Sequence, residues 1–177
     1  MARRHVRSGA GREEGETVAG FQEVYEEYGK PVYRFLLSLT GSETQAEELL
    51  QETFYQAFLH IDRFEGRCSL YTWLCQIGKN AWLKECKRNK RFADTSWEEL
   101  TVPSGQPPLE EVYLMRQIRR AIRNLEEPYK DVFILHAFGG LKLKEIGQAY
   151  EKSESWARVT YHRAKLKIKE KMNEFTL

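Results

Sequence analysis

Between residues 93 and 112 the chain changes character, and this break limits what the rest can fold into. The stretch holds Pro103, Pro107 and Pro108, three of the 5 prolines, together with Ser104 and Gly105. It carries Asp94, Glu98, Glu99, Glu110 and Glu111, and no Lys or Arg up to residue 113. Proline removes a backbone donor and clashes with a preceding helical turn, so no helix runs through such a segment. The composition is that of an acidic, flexible linker. On either side, apolar residues recur at three and four, and no segment alternates with the period of a strand. The expected fold class is therefore all-α: two small helical domains joined by a flexible acidic linker, which a length of 177 residues accommodates. The expected boundaries are a disordered tail over 1–20, a first domain over 21–92, the linker over 93–111 and a second domain over 112–172.

The tail is rich in Arg, Gly and Glu and has no apolar period. Phe21, Val24, Tyr25 and Tyr28 start a helical pattern that Gly29-Lys30-Pro31 is expected to break, with Pro31 opening the next helix. Val32, Phe35, Leu36 and Leu39 follow, up to Gly41. Ser42 to Gln45 reads as a capping box. Beyond it, Ala46, Leu49, Leu50, Thr53, Phe54, Ala57, Phe58 and Ile61 form an inward stripe, opposite Glu47, Glu48, Gln51, Glu52 and Gln56. Residues 64–68 read as a loop. Ser69 caps a helix reaching about Arg91, with Trp73, Leu74, Ile77, Ala81 and Trp82 inward. In the second domain Val112, Met115, Ile118, Ile122 and Leu125 mark one helix, and Pro128 opens another that closes at Gly139-Gly140. A short helix over 143–150 and a long one capped by Ser153 complete the chain.

Several function classes drop out. The longest apolar run falls far short of the roughly eighteen residues of a membrane span, and no apolar stretch follows the basic start as in a secretory signal. The expected location is the cytoplasm. Cys68, Cys75 and Cys86 are too widely spaced for a zinc knuckle and odd in number. His5, His60, His136 and His162 form no ligand-spaced pair. Phosphate-cradling loops, dinucleotide fingerprints and nucleophile elbows are missing. Neither enzyme chemistry nor a metal, cofactor or small-molecule substrate is expected.

The net charge of +2 hides a segregation. Residues 23–65 are mainly acidic. Residues 66–91 carry Arg67, Lys79, Lys84, Lys87, Arg88, Lys90 and Arg91 against Glu85 alone, and residues 141–171 are basic again. Two basic blocks held apart suggest two polyanion contacts. In the second block, a short helix, a tight turn and a basic helix form a helix-turn-helix pattern. Ala157, Tyr161 and Ala164 would pack, leaving Ser155, Arg158, Val159, His162 and Arg163 outward, with Lys165 and later lysines toward phosphate. In the first block, Tyr71 and Trp73 interleave with cations, as single-stranded nucleic acid requires: rings stack on bases while cations hold phosphates. Read alone, Trp73 and Trp82 at helical spacing each fit a core position better than a stacking one.

These residues resemble the extracytoplasmic-function sigma factors of the sigma-70 family. Residues 46–59, A-E-E-L-L-Q-E-T-F-Y-Q-A-F-L, are similar to the part of region 2 that docks on the RNA polymerase core. Residues 62–66, then Ser69 to Leu74, Ile77 and Asn80, are similar to the parts that melt and read the minus-ten element. Residues 125–165 resemble region 4, which reads the minus-thirty-five element, and Tyr161 to Lys165 match the end of its recognition helix. The resemblance implies a transcription initiation factor whose partners are core polymerase, through a coiled coil of the beta-prime subunit, promoter DNA and an anti-sigma factor. It implies core contacts at Glu47, Glu48, Gln51, Glu52 and Gln56. Minus-ten contacts fall at Phe64, Arg67, Ser69, Tyr71, Trp73, Asn80, Lys84, Lys87 and Arg88. Upstream contacts fall at Ser153, Ser155, Trp156, Arg158, Val159, His162, Arg163 and Lys165. The alternatives are a free-standing helix-turn-helix transcriptional regulator and an RNA-binding adaptor.

Overall fold

The structure, a computed structural model, describes residues 14–92 and 109–174, all of them in helices and the turns between them. Residues 93–108 of the expected linker and the first 13 residues of the expected tail lie outside the described residues. Among the described residues seven α-helices follow one another: α1 Glu14–Thr40, α2 Glu43–His60, α3 Leu70–Phe92, α4 Leu109–Arg123, α5 Tyr129–Phe133, α6 Leu143–Ala149 and α7 Glu154–Glu174. A 3-10 turn, Ile61–Arg63, follows α2, and α5 widens without a break into a π-helical turn, Ile134–Phe138.

Three boundaries differ from expectation. Residues 14–20 are helical, where a tail was expected, and residues 109–111 belong to α4 and not to the linker. The third difference is Pro31, which lies inside α1. Its ring removes one helical hydrogen bond. Packing outweighs that local loss, because Phe21, Val24 and Tyr28 before it and Val32, Phe35, Leu36 and Leu39 after it all lie against one core. A helix that packs along its whole length is held by tertiary contact more than by propensity.

The caps fall as expected. Gln45 N–H donates to Ser42 Oγ at 3.4 Å, opening α2, and Thr72 N–H donates to Ser69 Oγ at 3.1 Å, opening α3. The capping box at Ser42 is only half made, because the Ser42 N–H donates to Thr40 Oγ1 (3.2 Å) instead of Gln45.

Helices α1, α2 and α3 pack on one another, and α7 packs against α4, α5 and α6. Leu36, Leu74, Phe35 and Trp82 fill the first domain, while Ile122, Val132, Leu135 and Ile146 fill the second. Each such side chain contributes about 1.5–3 kcal/mol by leaving water. The two cores meet in a single buried cluster, with α3 lying against α6 and the π-helical turn. Phe58, expected inward, is 37% exposed at the rim of this core, its ring edge-on to Phe21 at 5.2 Å.

Candidate nucleic-acid interface

The helix-turn-helix is built by its turn. Lys152 N–H donates to Gly147 O at 2.8 Å and Glu151 N–H to Gln148 O at 3.1 Å. This is the double closure of a Schellman motif. It places Glu151 in the left-handed region, at φ 55°. Gly147 is required there: a Cβ would stand 2.9 Å from Ser153 O and 3.0 Å from Lys152 O, both backbone atoms. Ser153 Oγ then accepts the Trp156 N–H at 3.1 Å and starts α7.

Helix α7 presents the two faces expected of it. Ala157, Thr160, Ala164 and Ile168 are buried. Tyr161 stacks on Phe133 at 5.7 Å and meets His136 edge-on at 4.5 Å. Ser155, Arg158, Val159, His162, Arg163 and Lys165 are exposed along the outer side. Arg158 is paired on that surface with Glu154 at 2.7 Å. Two expected contacts have other duties. The Ser153 hydroxyl is engaged in the cap, and Trp156 is half-buried against Tyr150 with ring centroids 6.0 Å apart.

In the first domain the expected minus-ten residues divide into three groups. Phe64 and Trp73 pack together at 5.2 Å at the base of the 64–68 loop, which turns at Gly66 with φ +70°. Asn80, Lys84, Lys87 and Arg88 are exposed along α3, with Arg88 paired to Glu85 at 2.7 Å. Arg67, Ser69 and Tyr71 are engaged within the protein. Besides capping α3, Ser69 Oγ shares a 2.8 Å hydrogen bond with Thr72 Oγ1. Arg67 pairs with Glu65 and, across the domains, with Glu151. The Tyr71 hydroxyl donates to Gly139 O at 3.2 Å. A cleft between the loop and the end of α6 is lined by Arg63, Phe64, Arg67, Trp73 and Tyr150.

The sequence reading missed what lies farther along α3. Lys79, counted there with the solvated basic block, is 3% exposed. Its Nζ stands 2.6 Å from Asp131 Oδ1 on α5, and the Tyr150 hydroxyl donates to Asp131 Oδ2 at 2.7 Å. Lys79 Nζ also reaches Tyr150 Oη at 3.3 Å. Burial lowers the Lys79 pKa against the opposing pull of Asp131, and burial with the nearby Asp131 charge pushes the Tyr150 phenol up. Burial likewise raises Tyr71, and pushes the fully buried Cys75 thiol up to about 12. A further link joins the domains where Arg119 Nη2 donates to Ser38 O at 3.1 Å, at the C-terminal end of α1.

On α2 the outward face carries Glu47, Glu48, Gln51 and Glu52, with Gln56 half-buried and donating to Glu52 at 3.0 Å. Tyr55 at 57% and Leu59 at 50% exposure share this face. They too escaped the sequence reading, although positions 48, 51, 52, 55 and 59 follow helical spacing and the signal was there. Among the described residues no group of three or more His, Cys, Asp or Glu side chains is placed to hold a metal ion, and no helix is long and apolar enough to cross a membrane.

Comparison with known proteins fits this geometry. The family model for Sigma-70 region 2 matches residues 24–92, and that for Sigma-70 region 4 matches residues 115–168. The ECF RNA polymerase sigma factor SigM of Bacillus subtilis is 29% identical over 150 residues, spanning 83% of this chain and 91% of the relative. RNA polymerase sigma factor YlaC of the same organism is 28% identical over 161 residues, 86% of this chain and 92% of the relative. The same fold occurs in CnrH in complex with the cytosolic domain of CnrY (TM-score 0.56, 18% identity, 90% of this chain and 94% of that one). It also occurs in the sigma factor RpoE in complex with the anti-sigma factor NepR from Bartonella quintana (TM-score 0.56, 19% identity, 87% and 97%).

Proposed function

The chain belongs to the sigma-70 family of RNA polymerase sigma factors, as a member of its extracytoplasmic-function group, and on that premise we propose how its surfaces divide the work. It is a transcription initiation factor and not an enzyme. Core RNA polymerase docks on the outer face of α2, at Glu47, Glu48, Gln51, Glu52 and Gln56, with Tyr55 and Leu59 supplying the apolar centre. Acidic residues around two exposed apolar side chains suit a basic partner, since charge orients the encounter while apolar burial supplies affinity.

Helix α7 enters the major groove of the minus-thirty-five element, with Arg158, Val159, His162 and Arg163 toward base edges and Ser155 and Lys165 toward phosphate. The observation that carries this assignment is the exposed, mostly polar stripe of α7 held out by a packed turn. The loop at 64–68 and α3 hold the opened minus-ten strand. Phe64 and Trp73 offer rings for an extruded base, Asn80 an amide for its edge, and Lys84, Lys87 and Arg88 the phosphate track. An anti-sigma factor is a partner, as RpoE is found with NepR. The protein acts in the cytoplasm, where core polymerase and promoters meet. Matches to both sigma regions leave the free-standing regulator without support.

Runoff transcription with core polymerase tests this reading. The wild-type chain should direct initiation at a defined promoter set. Charge reversal at Glu48 and Glu52 should lower affinity for core while leaving helical content unchanged. Unchanged core affinity would remove α2 as the docking face.

A further inference from the structure

Placing α7 in the major groove says which side chains face base edges, and not which base each of them meets. One of those side chains is unlike the rest. Ser155, Arg158, His162 and Arg163 can each donate a hydrogen bond, and Val159, in their midst, cannot. It is 48% exposed, although valine is among the residues most often buried. Positions 155, 159 and 162 fall on one stripe at helical spacing, with Val159 at its middle. No core lies on that side. The packed side of α7 is formed by Ala157, Thr160 and Ala164, and Trp156 turns its ring to Tyr150.

The helix itself gains nothing from a valine there. A β-branched side chain loses freedom against the preceding turn and forms helix less well than Ala, Arg or Lys. What it offers is two methyl groups held in one place, because valine in a helix keeps a single χ1 rotamer in about nine cases of ten. Little side-chain entropy is then lost when a ligand reaches it. Among the major-groove edges of the four bases, guanine, adenine and cytosine show hydrogen-bond donors and acceptors, and thymine alone adds a methyl group at C5. The cations around Val159, at Arg158, Arg163 and Lys165, draw it toward a phosphate backbone. Leu166, 49% exposed, is the other large apolar side chain on the surface of α7 among the described residues. It lies about two turns farther on, past the N-terminal part of a recognition helix that reaches base edges.

We propose that Val159 reads a thymine of the minus-thirty-five element, by packing its methyl groups against the 5-methyl group of that base in the major groove. The proposal rests on the placement of α7 assigned above and adds to it the base that one position selects. Because a T·A pair carries its methyl on one strand only, the contact also separates T·A from A·T.

The experiment uses holoenzyme assembled from core polymerase and the full chain, on a duplex promoter identified by runoff transcription. Each thymine of the upstream element, on either strand, is replaced in turn by deoxyuridine, which pairs as thymine does and lacks only the methyl. At the usual worth of one buried methyl group, one of these replacements should weaken binding about fourfold. Val159→Ala should bind the thymine and deoxyuridine forms of that position alike, which is the signature of a pairwise contact in a double-mutant cycle. Its helical content and melting temperature should not fall, since alanine is the better helix former. Leu166→Ala should keep the fourfold discrimination. Arg163→Ala checks the premise separately, and should weaken binding to both forms equally. If no deoxyuridine replacement weakens wild-type binding, or if the discrimination survives in Val159→Ala, the proposal is overturned. Weaker binding by Arg163→Ala would in that case leave α7 in the groove and remove the methyl contact alone, whereas unchanged binding by Arg163→Ala would remove both.

Discussion

The two basic surfaces of this protein are similar in composition and opposite in availability. Along α7, Arg158, Val159, His162 and Arg163 stand in solvent, and the packing residues Ala157, Ala164 and Ile168 point the other way. Along α3, Lys79 is buried in an ion pair and Tyr71 is bonded to the other domain, while Asn80, Lys84, Lys87 and Arg88 remain outside. The difference shows that a basic, aromatic-rich helix is not thereby a nucleic-acid surface. What decides is which of its faces the rest of the chain leaves uncovered. In α7 the packed and polar faces are opposite one another. In α3 the cations occur on both the covered and the open sides.

The largest expected effect separates these surfaces at Lys79. Lys79→Met leaves Asp131 buried without its partner, and breaking such a pair costs about 3–5 kcal/mol. Thermal unfolding of the full chain should show the loss, and a lysine on the solvated side, Lys87→Met, should show almost none. Equal behaviour of the two would place Lys79 in solvent.

Next come the arginines of α7. Arg163→Ala should weaken promoter binding by roughly 1–3 kcal/mol if it bonds a base edge, and relax the preference at one base pair. Arg158→Ala should do no more than this, because Arg158 must first leave Glu154. Neither should change the melting temperature. Binding across a set of single-base promoter variants distinguishes a base contact from a phosphate contact, which would weaken all sites alike and lower the salt slope by about one.

The turn offers a pair of smaller, opposite effects. Gly147→Ala forces a Cβ onto the Ser153 and Lys152 carbonyls and should cost about 1–3 kcal/mol. Glu151→Gly frees a left-handed position from its side-chain penalty and should stabilise by about 1 kcal/mol. The lost pairing with Arg67 is exposed and offsets little of that gain. Denaturant unfolding of both variants checks the signs.

These surfaces also mark where sequence reasoning succeeds and stops. The caps at Ser42, Ser69 and Ser153 and the outward stripe of α7 were legible because they depend on residues three or four apart. Pro31 was misread because a local penalty gave way to packing along all of α1. The burial of Lys79 depends on Asp131 and Tyr150, distant in sequence and in the other domain. Periodicity carries no information about such a partner, so Lys79 was grouped with the solvated cations around it. Tyr55 and Leu59 differ: their spacing places them on the acidic face of α2, while their apolar character alone points to the core.

The measurement that tests the contrast most directly is side-chain oxidation by hydroxyl radicals of the full chain, free in solution, read tyrosine by tyrosine. Tyr113, 62% exposed on α4, serves as the open reference. The contact between the two domains requires Tyr71 and Tyr150 to be oxidised well below the Tyr113 rate, and to be oxidised faster when Asp131→Asn weakens the Lys79–Asp131 pair, while His162 on α7 is modified alike in both proteins. Oxidation of Tyr71 and Tyr150 in the wild-type chain at the Tyr113 rate would contradict the account, because it would mean that both basic surfaces are open from the start.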